Sequence, residues 1–529
     1  MQNLSEYSIF QAIIFCIYLQ RFQNNGPQFH FTNEGVNHMD KLENFIPGIT
    51  ENGKEYGVYP KSLHVSPEGA NVFMARKDGE DILVAAAQTG FAGETFSNAQ
   101  GEKYTIAPLN HENACLLRKL FPFTAPVQVL GQARTVGVGD RLGIACPGHI
   151  RVFEQYDAFP VFAQQSIREL NLTGRTYEDV LDCATFSVFR EDFTRGFGAD
   201  GDHLKTPKEV EYALSCGFSM ITLDCSEHIR NDISAMTDEE VRAIYEPNEE
   251  LENTYMNQCF ILEEGLALTF SEMAYKRMVL IYGAAIAYAA KIYRDHIEGK
   301  AVDFEISIDE TATPTDPAQH YFVASELLKL GVRFATVAPR FCGEFQKGVD
   351  YIGDIDQFRQ EFEEHALIAK HFGYKISVHS GSDKFLVFPV VGRLTGGRFH
   401  VKTAGTNWLE AVKLVAMKDA ALYRELHAFA LSVFDEATAY YHVTTDLSRI
   451  PALASLKDEE LPDLFNQNDA RQLIHITYGI ILTAKNEDGS SRFRDRLYRL
   501  WDTYAEDYAQ LLHAHIGKHL ELLYKGIPK

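Results

Sequence analysis

Residues 302–340 read VDFEISIDETATPTDPAQHYFVASELLKLGVRFATVAPR. Two short apolar runs, VDFEISIDE (302–310) and VRFATVAPR (332–340), flank AQHYFVASELLKLG, whose apolar positions recur with helical period and whose Gly331 suits a helix C-cap. A strand, a helix and a second strand in about forty residues make one β-α-β unit of a parallel sheet. The same grammar recurs on both sides. TPKEVEYALS precedes GFSMITLDC (217–225), an amphipathic stretch at 271–297 precedes residue 302, FRQEFEEHALIAKHFG precedes KISVHSGS (375–382), and GRFHVKT (397–403) leads into a helix near Trp408. No GxGxxG or GxxxxGK[ST] loop follows any of these strands, so an open dinucleotide- or nucleotide-binding sheet is disfavoured. The expected fold is α/β, a (β/α)8 TIM-type barrel over 131–449.

Residues 39–130 alternate apolar and polar positions between turn signals, as in SLHVSPEGANVFMARKDGEDILVAAAQTG, and predict a β-rich N-terminal section. Residues 450–529, with helical periodicity around 493–524, predict a helical C-terminal extension. Residues 8–19, SIFQAIIFCIYL, are strongly apolar but shorter than the roughly 20 residues that span a bilayer, and only Glu6 is charged before them. Residues 1–38 are therefore read as a dispensable extension, with a weak export signal as the alternative.

The whole chain has 529 residues, 46% of them apolar and 23% charged, which suits a large globular core. Its 50 lysines and arginines against 73 aspartates and glutamates give a net charge of −23, disfavouring nucleic acid and anionic membranes as partners. Eight scattered cysteines without a CxxC pair point to a reducing, cytoplasmic compartment and away from a zinc ribbon.

A barrel gathers its chemistry at the carboxyl ends of its strands. There the sequence places Asp200, Asp202, His203 and Lys205; Asp224, Glu227 and His228; Asp309 and Glu310; and His379, Ser380, Ser382, Asp383 and Lys384, with His442 later. Each has an ordinary reading: strand-end histidines are often only hydrogen-bonded, and Asp309-Glu310 is able simply to cap the next helix. Recurrence of histidine and carboxylate at three strand ends favours a divalent metal of the Zn, Ni, Mn or Co type. Strand parity puts Glu305, Ser307 and Asp309 on one face, pointing into the barrel, and likewise Ser377 and His379.

GVGDRLGIACPGHI (137–150), GADGDHLKTPKEV (198–210), ITLDCSEHI (221–229), DFEISIDET (303–311) and VHSGSDKF (378–385) together resemble the tagaturonate epimerase family. The resemblance runs from about residue 40 to the end. It implies a barrel-type, divalent-metal-dependent enzyme of hexuronate catabolism interconverting D-tagaturonate and D-fructuronate. The inverted carbon lies β to the ketone, so enolisation cannot acidify its C–H; without a dinucleotide fingerprint, retro-aldol cleavage and re-addition is the favoured route. His203 and His379 are then the expected ligands, with Asp309 or Glu310 completing the set, Asp202 as proton acceptor and Glu310 as proton donor. Lys205, Arg141 and Lys384, with Arg340 and Lys347 unranked, are the candidate cations for a ketouronate carboxylate, and Ser380 and Ser382 are hydroxyl donors. Another metal-dependent sugar isomerase or aldolase, or a non-catalytic sugar-acid sensor, is the competing reading. The apolar face of 271–297 is open as core or homo-oligomer interface.

Overall fold

A computed structural model describes residues 57–97, 101–403 and 405–528. The expected extension at 1–38 lies outside these. The described chain divides into two units, one ending at Pro108 and one from Leu109 to Lys529.

The first unit is an antiparallel sheet. Its central hairpin pairs Asn71–Lys77 with Glu80–Ala86 across Asp78-Gly79, both with positive φ, the two-residue turn that matches strand twist. Phe73, Ala75, Ile82 and Val84 alternate onto one face and form its core. Its last strand is Lys103–Pro108, and a helix follows at His111–Leu120. The β-rich section thus ends some twenty residues before the expected limit of 130, because 109–130 packs with the second unit.

The second unit is a closed barrel of eight parallel strands: β1 Arg134–Gly137, β2 Phe159–Gln165, β3 Gly198–Leu204, β4 Met220–Asp224, β5 Asp303–Ile308, β6 Thr336–Pro339, β7 Lys375–Val378 and β8 Phe399–Lys402. Helices follow in order: α1 Cys146–Phe153, α2 Tyr177–Arg190, α3 Pro207–Ser215, α4 Glu272–Ile292, α5 Pro317–Lys329, α6 Ile355–Phe372, α7 Phe388–Leu394 and α8 Thr406–Lys418. Capping boxes at Thr176, Thr206 and Asp316 start α2, α3 and α5, and Gly373, in the left-handed region at φ 85°, ends α6. The five strands read from the sequence are β4 to β8. The strands β1 and β2 went unread, and β3 is read only through its polar segment GADGDHLKT: the first two carry few long aliphatic runs, and β2 (FPVFAQQ) includes a proline and two glutamines.

The apolar face of α4 is core, not a free interface: Tyr275, Met278, Ile281, Ala285 and Ala289 are buried in the cluster that also holds the barrel strands. After α8, helices at Ala420–Ser432, α9 Asn468–Ile476, Arg494–Thr503 and α10 Ala505–Gly526 build a second apolar cluster around Trp408 and Trp501. The helical region therefore begins near 420, ahead of the expected 450. No helix among the described residues is long and apolar enough to cross a membrane.

Candidate active site

A cavity of about 370 Å³ opens at the carboxyl ends of the strands, a size suited to a small-molecule ligand. On its lining, His203 after β3, Asp309 after β5 and His379 after β7 offer ligand atoms all within 4.8 Å of one another. The parity reading of β5 holds: Glu305 and Ser307 are wholly buried inside the barrel, and Asp309 reaches the mouth. The pair Asp202-His203 is achieved differently. Adjacent strand residues ordinarily face opposite sides, but β3 is irregular against β4, and His203 sits in the left-handed region at φ 54°. This local break turns both side chains toward the site.

Each imidazole is oriented by a carboxylate behind it. The His203 Nδ1–H donates to Asp202 Oδ1 at 2.8 Å, leaving Nε2 free; the His379 Nε2–H donates to Glu305 Oε1 at 2.7 Å, leaving Nδ1 facing Asp309 at 3.1 Å. His379 Nδ1 is buried and has only this ion-pair contact with Asp309, which is not aligned as a hydrogen bond. Two carboxylate-oriented imidazoles and a third carboxylate, with converging free donor atoms, are the donor set that a borderline divalent ion takes. Without an ion, burial works to lower the pKa of His379, but Asp309 and Glu305 outweigh it and raise it to about 10. Asp309 is correspondingly depressed, because His379 overcomes the opposing effect of its burial. Asp309, which the sequence left open as a helix cap, leaves that role to Asp316.

Beneath the histidines lies a group the sequence reading missed. Lys402, the last residue of β8 and 3% exposed, places Nζ 2.8 Å from Asp200, 2.7 Å from Asp202 and 2.9 Å from Glu305, and also bonds Thr222. One buried ammonium thus joins the carboxylates that orient both imidazoles. Burial lowers its pKa, yet the three carboxylates carry it well above the usual lysine value. Asp202 and Glu305 lie well below the carboxylate range: burial pushes both upward, but His203 and Lys402 outweigh it at Asp202, and Lys402 and His379 at Glu305. Asp200 is left near 6 by burial, with Lys402 pulling it down and Asp202 pushing it up. Period-two alternation in FHVK puts His400 and Lys402 on one face, the inward one, as it does Glu305 and Ser307 in β5.

Asp202 was expected as a proton acceptor. Its Oδ1 is committed to His203 and Lys402 at once, and its depressed pKa makes it a weak base, so the geometry gives it an orienting role instead. Glu310 remains at the mouth, 44% exposed, its nearest cation Lys205 at 3.7 Å.

Of the expected carboxylate-binding cations, Arg141 is on the lining. Its guanidinium is 2% exposed, pairs with Glu169 through Nη2 and lies over the Tyr478 ring, 4.3 Å from the centroid, while Nε and Nη1 have no partner. Lys347 and Arg340 line the same cavity, Lys347 reaching Ser380 Oγ at 3.3 Å. Ser380 and Ser382 line it too. Lys384 does not: its Nζ is buried against the carbonyls of Gln346, Val349 and Ser382 at 2.6–2.8 Å, a scaffold role that removes it from the candidates. Lys205 also stands off the lining, its charge spread over Asp224, Glu227 and Glu310 at 3.3–3.8 Å. His228 stacks on Tyr288 and has the ordinary structural role weighed for it, whereas His442 does line the cavity.

A closed (β/α)8 barrel with its polar cavity at the strand ends defines a barrel enzyme. The model of the tagaturonate epimerase family matches residues 59–523. The tagaturonate/fructuronate epimerase of Thermotoga maritima is 42% identical over 479 residues, covering 89% of this chain and 98% of that protein. The glycerol-complexed crystal structure of fructuronate-tagaturonate epimerase from Cohnella laeviribosi aligns with a TM-score of 0.86 at 49% identity, covering 93% of this chain and 99% of the other. The native crystal structure of the same protein aligns equally well, over 92% and 99% of the two chains. The chain belongs to the tagaturonate epimerase family and is an isomerase-class enzyme.

Proposed function

We propose that this chain interconverts D-tagaturonate and D-fructuronate by retro-aldol cleavage and re-addition, with a divalent ion held by His203 Nε2, His379 Nδ1 and Asp309. The observation that carries the proposal is one cavity with a histidine–carboxylate donor set and, elsewhere on the same lining, the unpartnered Nε and Nη1 of Arg141. A sugar acid presents matching groups, a hydroxy-ketone for the first and a carboxylate for the second. A bound divalent ion supplies Lewis acidity, which stabilises negative charge developing on a ketone oxygen.

The chain's own residues do the rest. Arg141, kept flat by Tyr478 and fixed by Glu169, offers two N–H groups to the carboxylate. Glu310 takes the proton from the hydroxyl on the carbon β to the ketone. That C–O becomes an aldehyde, the bond between the α and β carbons breaks, and its electron pair passes into the enolate. The carboxylate lies on the aldehyde fragment, so Arg141 retains that fragment while it turns its other face. Re-addition reforms the carbon–carbon bond, and the proton held on the Glu310 carboxyl returns to the new alkoxide, restoring the carboxylate. Asp202, Glu305 and Lys402 hold the imidazoles at fixed tautomer and angle throughout. Cytoplasmic residence agrees with seven free cysteines among the described residues.

The test is proton NMR of D-tagaturonate in D₂O with the Mn²⁺-supplied enzyme. D-fructuronate that keeps its original hydrogen at the inverted carbon supports the route, once bound nicotinamide has been excluded by absorbance. Deuterium at that carbon refutes it. Three-carbon products alone make the chain an aldolase, and no fructuronate at all removes the substrate assignment.

A further inference from the structure

The loop after β7 carries three residues of the cavity lining, His379, Ser380 and Ser382, and its backbone is unfavourable at two positions. Ser380 and Asp383 both lie in the left-handed region, at φ 49° and 61°, which non-glycine residues enter only when their surroundings hold them there. The holding groups come from outside the barrel. Asp383, 3% exposed, receives the Arg471 guanidinium of α9 on Oδ2 at 2.5 Å and lies 2.6 Å through Oδ1 from His515 Nε2 of α10, an ion-pair contact not aligned as a hydrogen bond. The other nitrogen of His515 faces Glu410 of α8 at 3.2 Å. The Asp383 backbone N–H donates to His519 Nε2 at 3.1 Å, and His519 Nδ1–H donates to the His515 carbonyl at 2.8 Å.

Asp383, His515 and His519 have the spacing of a metal site, but their chemistry argues against one. The basic nitrogen of His519 is already taken by the Asp383 N–H, and Arg471 brings a permanent positive charge onto the carboxylate. Two carboxylates, one guanidinium and one imidazolium instead balance to zero inside the protein. That is a closed ionic clamp, with His515 cationic between Asp383 and Glu410.

We propose that His515 is a positioning residue of the active site: by gripping Asp383 it sets the β7 loop, and through it the placement of His379, Ser380 and Ser382. Part of this rests on the function proposed above, since Ser380 and Ser382 are taken to face the sugar acid. The helical C-terminal region is then a working part of the site and not packing around it.

The test uses the full chain and its His515→Ala, His515→Gln and Asp383→Asn variants. Affinity for Mn²⁺ alone is measured by calorimetry, and KM and kcat with D-tagaturonate. His515→Ala is expected to weaken Mn²⁺ about tenfold, within the range for groups that orient metal ligands, and to raise KM more than it lowers kcat. His515→Gln, which keeps a donor toward Asp383, is expected to recover part of both effects. A lower melting temperature with unchanged Mn²⁺ affinity and KM in all three variants would make the clamp purely structural and overturn the proposal. If His515→Ala does not fold, His515→Gln and Asp383→Asn decide by the same readouts. Failure of the wild type to epimerise removes the function proposed above, whereas the Mn²⁺ measurement still judges the clamp.

Discussion

Replacing Lys402 by methionine keeps the length of the side chain and deletes the one ammonium shared by Asp200, Asp202 and Glu305. Each ion pair at 2.8 Å represents about 6 kcal/mol of attraction at an effective dielectric of about 20. Most of that is cancelled by the cost of burying the charges and by repulsion among the carboxylates. Removing one partner of a buried cluster nevertheless typically costs about 3–5 kcal/mol, because the remaining charges stay buried and unpaired. A loss of that size at pH 8 is expected for Lys402→Met, measured by urea unfolding of the metal-free proteins in chelator. The loss should depend on pH. In the wild type, Asp202 and Glu305 are depressed below the ordinary carboxylate range, so their contribution is present in full from pH 5 to 8 and is lost only in stronger acid. In the variant, Asp202 and Glu305 keep His203 and His379 beside them, but Asp200, already left near 6 by burial, loses Lys402 and is pushed further up. A carboxyl raised in the folded state gains stability as pH falls through its folded pKa, so the gap from wild type should narrow by about 1.4 kcal/mol or more at pH 5.5, the equivalent of one pKa unit. A loss under about 1 kcal/mol, or one equally large at both pH values, would refute the assignment of Lys402 as the charge that balances this cluster.

His203→Ala and His379→Ala should each lower the bound-metal stoichiometry after dialysis, read by elemental analysis, and unchanged metal in either removes that residue as a ligand. Arg141→Met should raise KM for the ketouronate at least tenfold while affinity for Mn²⁺ alone stays within about twofold, since the loss of a charge-assisted contact is worth about 1.5–3 kcal/mol. Gly137→Ala should fail in activity before it fails in folding: a Cβ there would meet the Gln164 side chain on the cavity lining at 1.7 Å, and steady-state kinetics beside circular dichroism separates the two effects. Ser380→Gly removes a left-handed strain of about 1 kcal/mol or more and should raise the thermal midpoint, at the cost of the Lys347 contact seen as a higher KM.

The barrel was legible where strands are continuous apolar runs between helical patterns, as at 217–225, 302–310 and 375–382, because a parallel strand buried on both faces must read that way. Period-two parity also carried Asp309 and His379 to the barrel mouth. Parity could not reach His203, since a register break in β3 and a positive φ turn it inward, and neither is written in the residue types. Nor could it tell Lys384 from Lys402: both are lysines near strand ends, yet one is spent on three backbone carbonyls and the other on three carboxylates.

By itself the sequence determined the class of fold, the residue types gathered at the strand ends and, through ordered motifs, the resemblance to a family. These are local or one-dimensional properties, set by period, turn chemistry and spacing along the chain. Only the tertiary structure decided which of the polar residues meet. Arg141 finds Glu169 and Tyr478, Lys402 closes on Asp202 from 200 positions away, and Asp383 is held from α9 and α10. Charge pairing inside a protein depends on distance in space and on exclusion of water, and both come into being only when the barrel closes and the C-terminal helices pack.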